Sequence, residues 1–306
     1  MQENNHTPKV SIGMPVYNGD KFIREALESV LAQTFTDYEL IISDNASTDG
    51  TEAICTEYAK RDWRIRYVRQ SENRGGHWNF KYVLQAAKGL YFTWLACDDV
   101  LESRFLEETF SYMSRHNECI LVSGDFESID ESGLRIRIEE LDKLRKTIKW
   151  EWRCREFFRY PISNVFFCIY GLMKTEVAKV IFEATPHPRM ATGSELPLLA
   201  RFAVAGQMVS IPMVLRKYRR HDMSVFTTEV SVLKSKPVLV RYFSLLANVY
   251  RLRFDQMRVL MGSDYPMSQK LSIVVWVYIR YFGSFLMKFT RLPGRLLVLI
   301  KSIKTL

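Results

Sequence analysis

Five short stretches of the sequence carry side chains that can do chemistry. Asp98-Asp99 follows the apolar run Tyr91-Phe92-Thr93-Trp94-Leu95-Ala96. Adjacent carboxylates in a partly desolvated place raise one another's pKa unless a cation neutralises them. A hard divalent ion, Mg2+ or Mn2+, suits such a pair, because it takes one or two carboxylates together with phosphate oxygens. The same acids also suit the cap of a helix starting near Glu102. Asp44-Asn45 ends a second apolar run. A carboxylate and an amide there either read a base or ribose edge or close an Asx turn. Asn73-Arg74-Gly75-Gly76 precedes a helix-like stretch, where glycines let backbone amides approach an anion; a plain turn has the same composition. Gly193-Ser194-Glu195-Leu196-Pro197 puts a Glu at a helix start, as a general base or as compensation of the helix dipole. Arg219-Arg220-His221 is a basic cluster that fits a diphosphate, a metal or ordinary surface charge.

Residues so far apart meet only if the fold gathers them. Short β-branched or aromatic runs at Val10–Val16, Glu39–Ser43, Ile65–Val68, Tyr91–Leu95 and Ile120–Val122 alternate with helix-like stretches. The latter are Asp20–Gln33, Asp49–Lys60, His77–Lys88 and Glu102–His116. Phe22, Ala26, Leu27, Val30 and Leu31 recur at helical spacing in the first. Asp49 with Glu52 suits a capping box, and Gly89 a C-cap. The alternation predicts an α/β fold with a Rossmann-like, mostly parallel central sheet flanked by helices. Ligands of such sheets bind beyond the carboxyl ends of the strands. The first, second and fourth strands exit into Pro15-Val16-Tyr17-Asn18, Ser43-Asp44-Asn45-Ala46-Ser47 and Cys97-Asp98-Asp99, so three strand ends aim polar groups at one rim. Further on, the charged and aromatic 131–165 reads as a helical excursion or lid over the rim. A strand is expected over 166–174, helices over Thr175–Phe182 and Glu195–Ala205, and a strand over Gln207–Pro212. Pro186-His187-Pro188-Arg189 reads as a loop.

A composition of 47% hydrophobic and 25% charged residues excludes a disordered or collagen-like chain. Five scattered cysteines with no CxxC pair read as thiols of a reducing compartment. The polar N-terminus does not read as a signal peptide. The net charge of +9 lies wholly between Arg241 and Leu306, where eleven Lys/Arg meet Asp255 and Asp264; the rest nets zero. A neutral body therefore carries a basic tail.

Taken together, these pieces resemble the family 2 glycosyltransferases, the GT-A-type enzymes that use nucleotide sugars. The resemblance covers residues 8–225. Its most specific part is VSIGMPVYNGDKFIREALESVLAQTFTDYELIISDNASTDGT, followed in order by NRGGHWN, the strand ending in Asp98-Asp99, GSELPLLARFAVAG and YRRH. It implies a GT-A domain over 1–228; residues 229–306 lie mostly outside the resemblance and read, from their charge and apolar runs, as a basic, amphipathic helical region. It also implies roles. Pro15, Tyr17 and Asn18 would line the nucleoside pocket, and Asp44 would bond the base, usually uracil. Asn45 and Ser47 would shape the same loop. Arg74 and Asn79 would help place the nucleotide and sugar. Asp98 would be the last acid of a DxD-type motif beside Asp99, with either touching the metal. His221 would reach the metal or diphosphate, Arg219 and Arg220 would add positive charge at the diphosphate, and Glu195 would be the general base. Two residues depart from the pattern: Ala96 stands where the first acid of Asp-x-Asp is expected, and Glu195 where Asp is frequent.

The activity implied is inverting transfer from a nucleotide-sugar, a UDP-sugar by this reading, to a glycan or lipid-linked acceptor in cell-surface polysaccharide assembly. Mg2+ or Mn2+ would be the cofactor. Leu271–Phe289 is apolar and aromatic, but Arg280 interrupts it, and a spanning helix needs about 20 mainly apolar residues. An interfacial helix on anionic lipid fits better, placing the protein in the cytoplasm at the inner face of the membrane. Packing on the core or against a second copy in a homo-oligomer is the other use of that surface. No recognised nucleic-acid module accompanies the charge, which disfavours nucleic acid. The rival readings are a GT-A-fold binding protein that has lost turnover, favoured by Ala96, and a sugar nucleotidyltransferase, which would want a Gly-rich basic loop after the first strand. No GxGxxG follows that strand, which disfavours a dinucleotide-dependent dehydrogenase.

Overall fold

In a computed structural model of the chain, residues 7–141, 164–185, 195–221, 254–263, 266–268 and 270–275 are described, apart from the side chains of 164–166, 195 and 196. The helical lid expected over 131–165 is corrected where it is described, since Arg135–Glu139 is a strand; its part beyond 141, the 186–189 loop, His6, the boundary at 228 and the tail beyond 275 lie outside the described residues.

Continuous apolar runs become strands buried on both faces. β1 (Val10–Val16) is buried at every position, and β2 (Tyr38–Asp44) at all but one. With β3 (Ile65–Arg69) and β4 (Tyr91–Trp94) they form a parallel set in the order β3-β2-β1-β4. The sheet continues through β8 (Leu172–Lys174), β6 (Cys119–Ile129), β9 (Gln207–Arg219) and β5 (Val100–Leu101), with β7 (Arg135–Glu139) on β6. β6 and β9 pair in parallel. The short strands β8, β7 and β5 run antiparallel to their neighbours. Since β8 opposes both β4 and β6, strands β1, β2, β3, β4, β6 and β9 all point their carboxyl ends the same way.

Helices cover both faces. α1 (Ile23–Leu31), α2 (Thr51–Arg61) and α4 (Phe105–Arg115) pack with Val10, Ile12, Met14 and Val16 of β1. On the opposite face lie α3 (Gly76–Gln85), α5 (Thr175–Glu183) and α6 (Glu195–Ala205), with Phe92, Trp94 and Phe126. β1 approaches α3 closely: a Cβ on Gly13 would lie 2.7 Å from the Phe92 ring and 2.8 Å from Val83.

Several local expectations are corrected. α1 begins at Ile23, not Asp20, because Gly19 starts a turn whose carbonyl takes the N–H of Phe22 and Ile23. Asp49 does accept the Thr51 N–H at 3.0 Å, but Glu52 turns away to Arg69, so no capping box forms. α3 ends at Gln85, and Gly89 serves the sheet instead: a Cβ there would meet the Ser11 nitrogen at 2.7 Å. The apolar run after 163 is a 3-10 turn (Asn164–Tyr170) before the short β8, since Gly171 passes too close to Val122 for a side chain. β9 runs on to Arg219 rather than stopping at Pro212.

Part of the C-terminal region belongs to the core. Leu260 and Ile273 are fully buried in the cluster that contains α6. No helix among the described residues is long and apolar enough to cross a membrane. Leu260→Ala should therefore cost about 2–5 kcal/mol of global stability, as other buried Leu truncations do. Urea unfolding of the whole chain reads this directly; an unchanged midpoint would remove Leu260 from the core.

Candidate active site

The loop after β2 is organised by Asp44, which is fully buried. Its Oδ1 accepts the Ser47 N–H at 2.8 Å, and its Oδ2 accepts the Tyr67 hydroxyl at 2.8 Å and Arg69 Nη1 at 2.9 Å. Arg69 Nη2 also donates to the Ser47 carbonyl at 2.9 Å. Burial, then the bond to Asp44, pushes the Tyr67 phenol well up. Asp44, expected at the base, thus spends both oxygens inside the protein. Tyr67 and Arg69, absent from the sequence reading, complete the knot.

The two neighbouring loops lock onto it. Asn18 N–H donates to Ser47 Oγ at 2.9 Å, and the Thr48 N–H donates to Asn18 Oδ1 at 2.8 Å. Asn18 and Ala46 both adopt positive φ, 53° and 62°, so strained backbone gathers at these two turns. Asn45 donates to Asn73 Oδ1 at 2.8 Å and accepts the Arg74 N–H at 3.0 Å, which ties in the third loop. Arg74's guanidinium stays exposed over the Trp78 ring. Gly75, at φ 84°, turns the chain into α3 with open space beside it. Asn79 is a buried clamp rather than a surface group. Its Nδ2 donates to the carbonyls of Ser43 at 2.8 Å and Val16 at 3.3 Å, holding the ends of β1 and β2 together. Tyr17 is exposed at this rim, while Pro15 is buried beneath it.

The acid pair divides. Asp99 is buried, its Oδ2 taking Arg216 Nη2 at 2.8 Å and Nε at 3.2 Å, its Oδ1 the Arg219 N–H at 3.1 Å. Burial pushes its carboxyl up to about 6, against the pull of Arg216. Arg216 further donates to the carbonyls of Trp94 and Tyr170 and lies over the Tyr170 ring. Asp99, expected as a candidate ligand, is therefore closed off by this pair. Asp98 is partly exposed, and its Oδ2 lies 2.8 Å from His221 Nε2. Cys97 braces it from behind: a Cβ on Gly19 would lie 2.9 Å from Cys97 Sγ, so the β1 loop and the acid loop touch only because residue 19 is glycine.

Arg219 is the other correction. Its side chain is buried, donating to the Asp98, Asp130 and Glu131 carbonyls and to Glu25, with Phe22 stacked 4.8 Å away. Those bonds occupy four of the five guanidinium N–H groups, so at most one N–H, on Nη2, is left for a diphosphate. Arg220 remains exposed, 3.4 Å from Glu139. Glu195 opens α6; Gly206 turns that helix straight into β9, so Glu195 stands at the end remote from Gln207, toward the carboxyl rim. Its side chain lies outside the described residues.

The donor set fits a hard divalent ion held in part by the protein. Asp98 and His221 supply an oxygen and a nitrogen, and such ions commonly complete their shells with phosphate oxygens and water. Among the described residues no group of three or more His, Cys, Asp or Glu side chains is placed to hold a metal alone.

Removing one partner of a buried ion pair leaves an uncompensated charge. Arg216→Ala and Asp99→Ala should each cost about 3–5 kcal/mol, and the double variant clearly less than the sum. A double-mutant cycle by urea unfolding measures this; strictly additive costs would dissolve the pair.

The sequence profile of Glycosyl transferase family 2 matches residues 11–174. Glycosyltransferase GlyG of Streptococcus pneumoniae serotype 4 is 25% identical over 232 residues, covering 72% of this chain and 73% of GlyG. An uncharacterised glycosyltransferase of Rickettsia typhi is 36% identical over 132 residues, 43% of this chain and 40% of its own length. A second, from Rickettsia felis, is 34% identical over 144 residues, 46% of this chain and 23% of its own. The matches thus span less than half the length of these Rickettsia relatives. S. aureus TarS in complex with UDP-GlcNAc superposes with a TM-score of 0.67 at 15% identity, covering 90% of this chain and 73% of that one. Mannosyltransferase PcManGT from Pyrobaculum calidifontis, in complex with GDP-Man and Mn2+, gives 0.54 at 14% identity, covering 92% and 81%. These solved structures share the GT-A-type fold. With the profile spanning β1 through β8, the chain belongs to glycosyl transferase family 2.

Proposed function

We propose that the chain transfers a sugar from a nucleotide-sugar, read as a UDP-sugar, to a hydroxyl of a glycan or lipid-linked acceptor, with inversion at the anomeric carbon. The observation that carries this is the Asp98–His221 contact of 2.8 Å at the same carboxyl rim as the loops after β1 and β2. The UDP-GlcNAc bound by TarS and the GDP-Man and Mn2+ bound by PcManGT support a nucleotide-sugar donor and a divalent ion.

In this reading the nucleoside enters between Pro15–Asn18 and Asp44–Ser47. Asp44 acts by fixing its loop, Asn45 and Ser47 by joining it to its neighbours, and Asn79 by clamping the strand ends. Tyr17 and Arg74 offer the exposed surface. Asp98 and His221 would hold Mg2+ or Mn2+, which when bound would neutralise charge on the departing diphosphate. Arg220 adds positive charge nearby. Glu195 takes the proton of the acceptor hydroxyl as its oxygen bonds to the anomeric carbon and the bond to the diphosphate oxygen breaks. With one base opposite the leaving group, a single displacement inverts the centre. The basic C-terminal region carries the protein to a membrane surface bearing the acceptor, consistent with assembly of cell-surface polysaccharide at the inner face. Met267, Leu271 and Val275 support this, being exposed at four-residue spacing.

A thermal-shift panel of nucleotide sugars tests the donor. UDP-sugars with Mn2+ should raise Tm, since a ligand of the native state stabilises by mass action. Asp98→Ala should abolish the Mn2+-dependent part and leave the metal-free shift. No shift with any nucleotide sugar would reject the reading. Glu195→Gln should lower transfer by about 10²–10⁴-fold, the usual weight of a general base, with donor binding intact. Equal loss of binding and transfer would remove Glu195 from that role.

A further inference from the structure

Asp99 is buried, yet its bonds to β9 connect it to the groups around Asp98 and His221. Its Oδ1 holds the N–H of Arg219, the last residue of β9, at 3.1 Å, and its Oδ2 holds the Arg216 fork from the same strand. In return the Arg219 guanidinium donates to the Asp98 carbonyl at 3.0 Å. Two residues past Arg219, His221 Nε2 meets Asp98 Oδ2 at 2.8 Å, with its ring 5.1 Å from Phe22. Phe22 also stacks on the Arg219 guanidinium, so one aromatic ring backs both. The β4–β5 turn and the end of β9 thus form a closed clasp, with the two acids serving opposite sides.

We infer that Asp99 and Arg216 are positioning residues that fix the end of β9 so that His221 and Asp98 present a preformed pair of ligand atoms. The inference rests on the reading that Asp98 and His221 hold the divalent ion. The carboxylate of Asp99 sets where β9 ends, and the planar fork of Arg216 sets the depth at which Asp99 sits. A lysine, with one nitrogen, cannot reproduce the Nε and Nη2 bonds that Arg216 makes together to Asp99 Oδ2 while Nη1 holds the Trp94 and Tyr170 carbonyls. Outer groups that orient metal ligands typically contribute about 10–100-fold to metal affinity.

The test uses the full chain with Arg216→Lys and, as a second variant, Asp99→Asn. Two readouts separate the clasp from the functional reading. The first is the 15N shift of the His221 imidazole in metal-free protein at fixed pH. The clasp predicts that Nε2 moves toward its unbonded value in either variant. The second is Mn2+ affinity, followed by the EPR signal of free Mn2+ in the presence of UDP. It should weaken about 10–100-fold, while metal-free UDP binding stays within about twofold of the wild type. A folded variant with an unchanged imidazole shift, or with unchanged Mn2+ affinity, overturns the inference. Loss of metal-free UDP binding in proportion to Mn2+ affinity overturns it too, as does failure of both variants to fold, which would make the pair a folding element alone. Wild-type protein that binds neither UDP nor Mn2+ rejects the functional reading, and the imidazole shift then still decides the clasp.

Discussion

Adjacent carboxylates at the end of a buried strand repel, and the architecture depends on keeping Asp98 and Asp99 apart. The solution is to bury one with its own cation. Arg216 neutralises Asp99 inside the sheet, where unpaired ionisation would be prohibitive. Asp98 is then left with a partly exposed carboxylate and an imidazole across from it. A related device recurs on β2: the buried Asp44 pairs with Arg69, which stays exposed at the end of β3, and its neighbours Asn45 and Ser47 are held in the turn that follows. At both strand ends one acid builds the loop and the loop presents the chemistry.

The parallel strands make this possible by sharing one carboxyl rim. Nothing in the chain brings β1, β4 and β9 together locally; Val16, Asp98 and His221 are separated by most of the sequence. Sheet register and close glycine contacts do the rest. Gly13 lets α3 lie against β1, and Gly19 lets the first loop touch Cys97. Asn79 fastens β1 to β2 where both loops begin. The site is therefore a property of the sheet's end, with its loops cross-tied rather than free.

The sheet's parallel half was legible because its strands are uninterrupted β-branched runs, and β1 matches its expected limits. The rim residues were legible too, since polar groups directly after such runs have few other reasons to be there. Individual roles were not. Sequence places Asp98 beside Asp99 but carries no sign of which faces inward; that depends on Arg216, more than a hundred residues later. Arg219 and Arg220 look alike as text, yet β9 continues through Arg219, which buries it and leaves Arg220 outside. Arg216 carried one weak signal, an Arg inside a strand, which must find a partner once buried. The run over 166–174 was read as one strand because apolar periodicity cannot separate a buried turn from a strand.

The central claim is that residues remote in sequence converge on one sugar–diphosphate at this rim. A crystal structure of the full chain with UDP and Mn2+ tests it most directly. The account predicts the ion on Asp98 and His221, the uracil against the loops after β1 and β2, and the Glu195 carboxylate facing the space beyond the β-phosphate. A nucleotide bound elsewhere, or a Glu195 side chain turned away from that space, would contradict it.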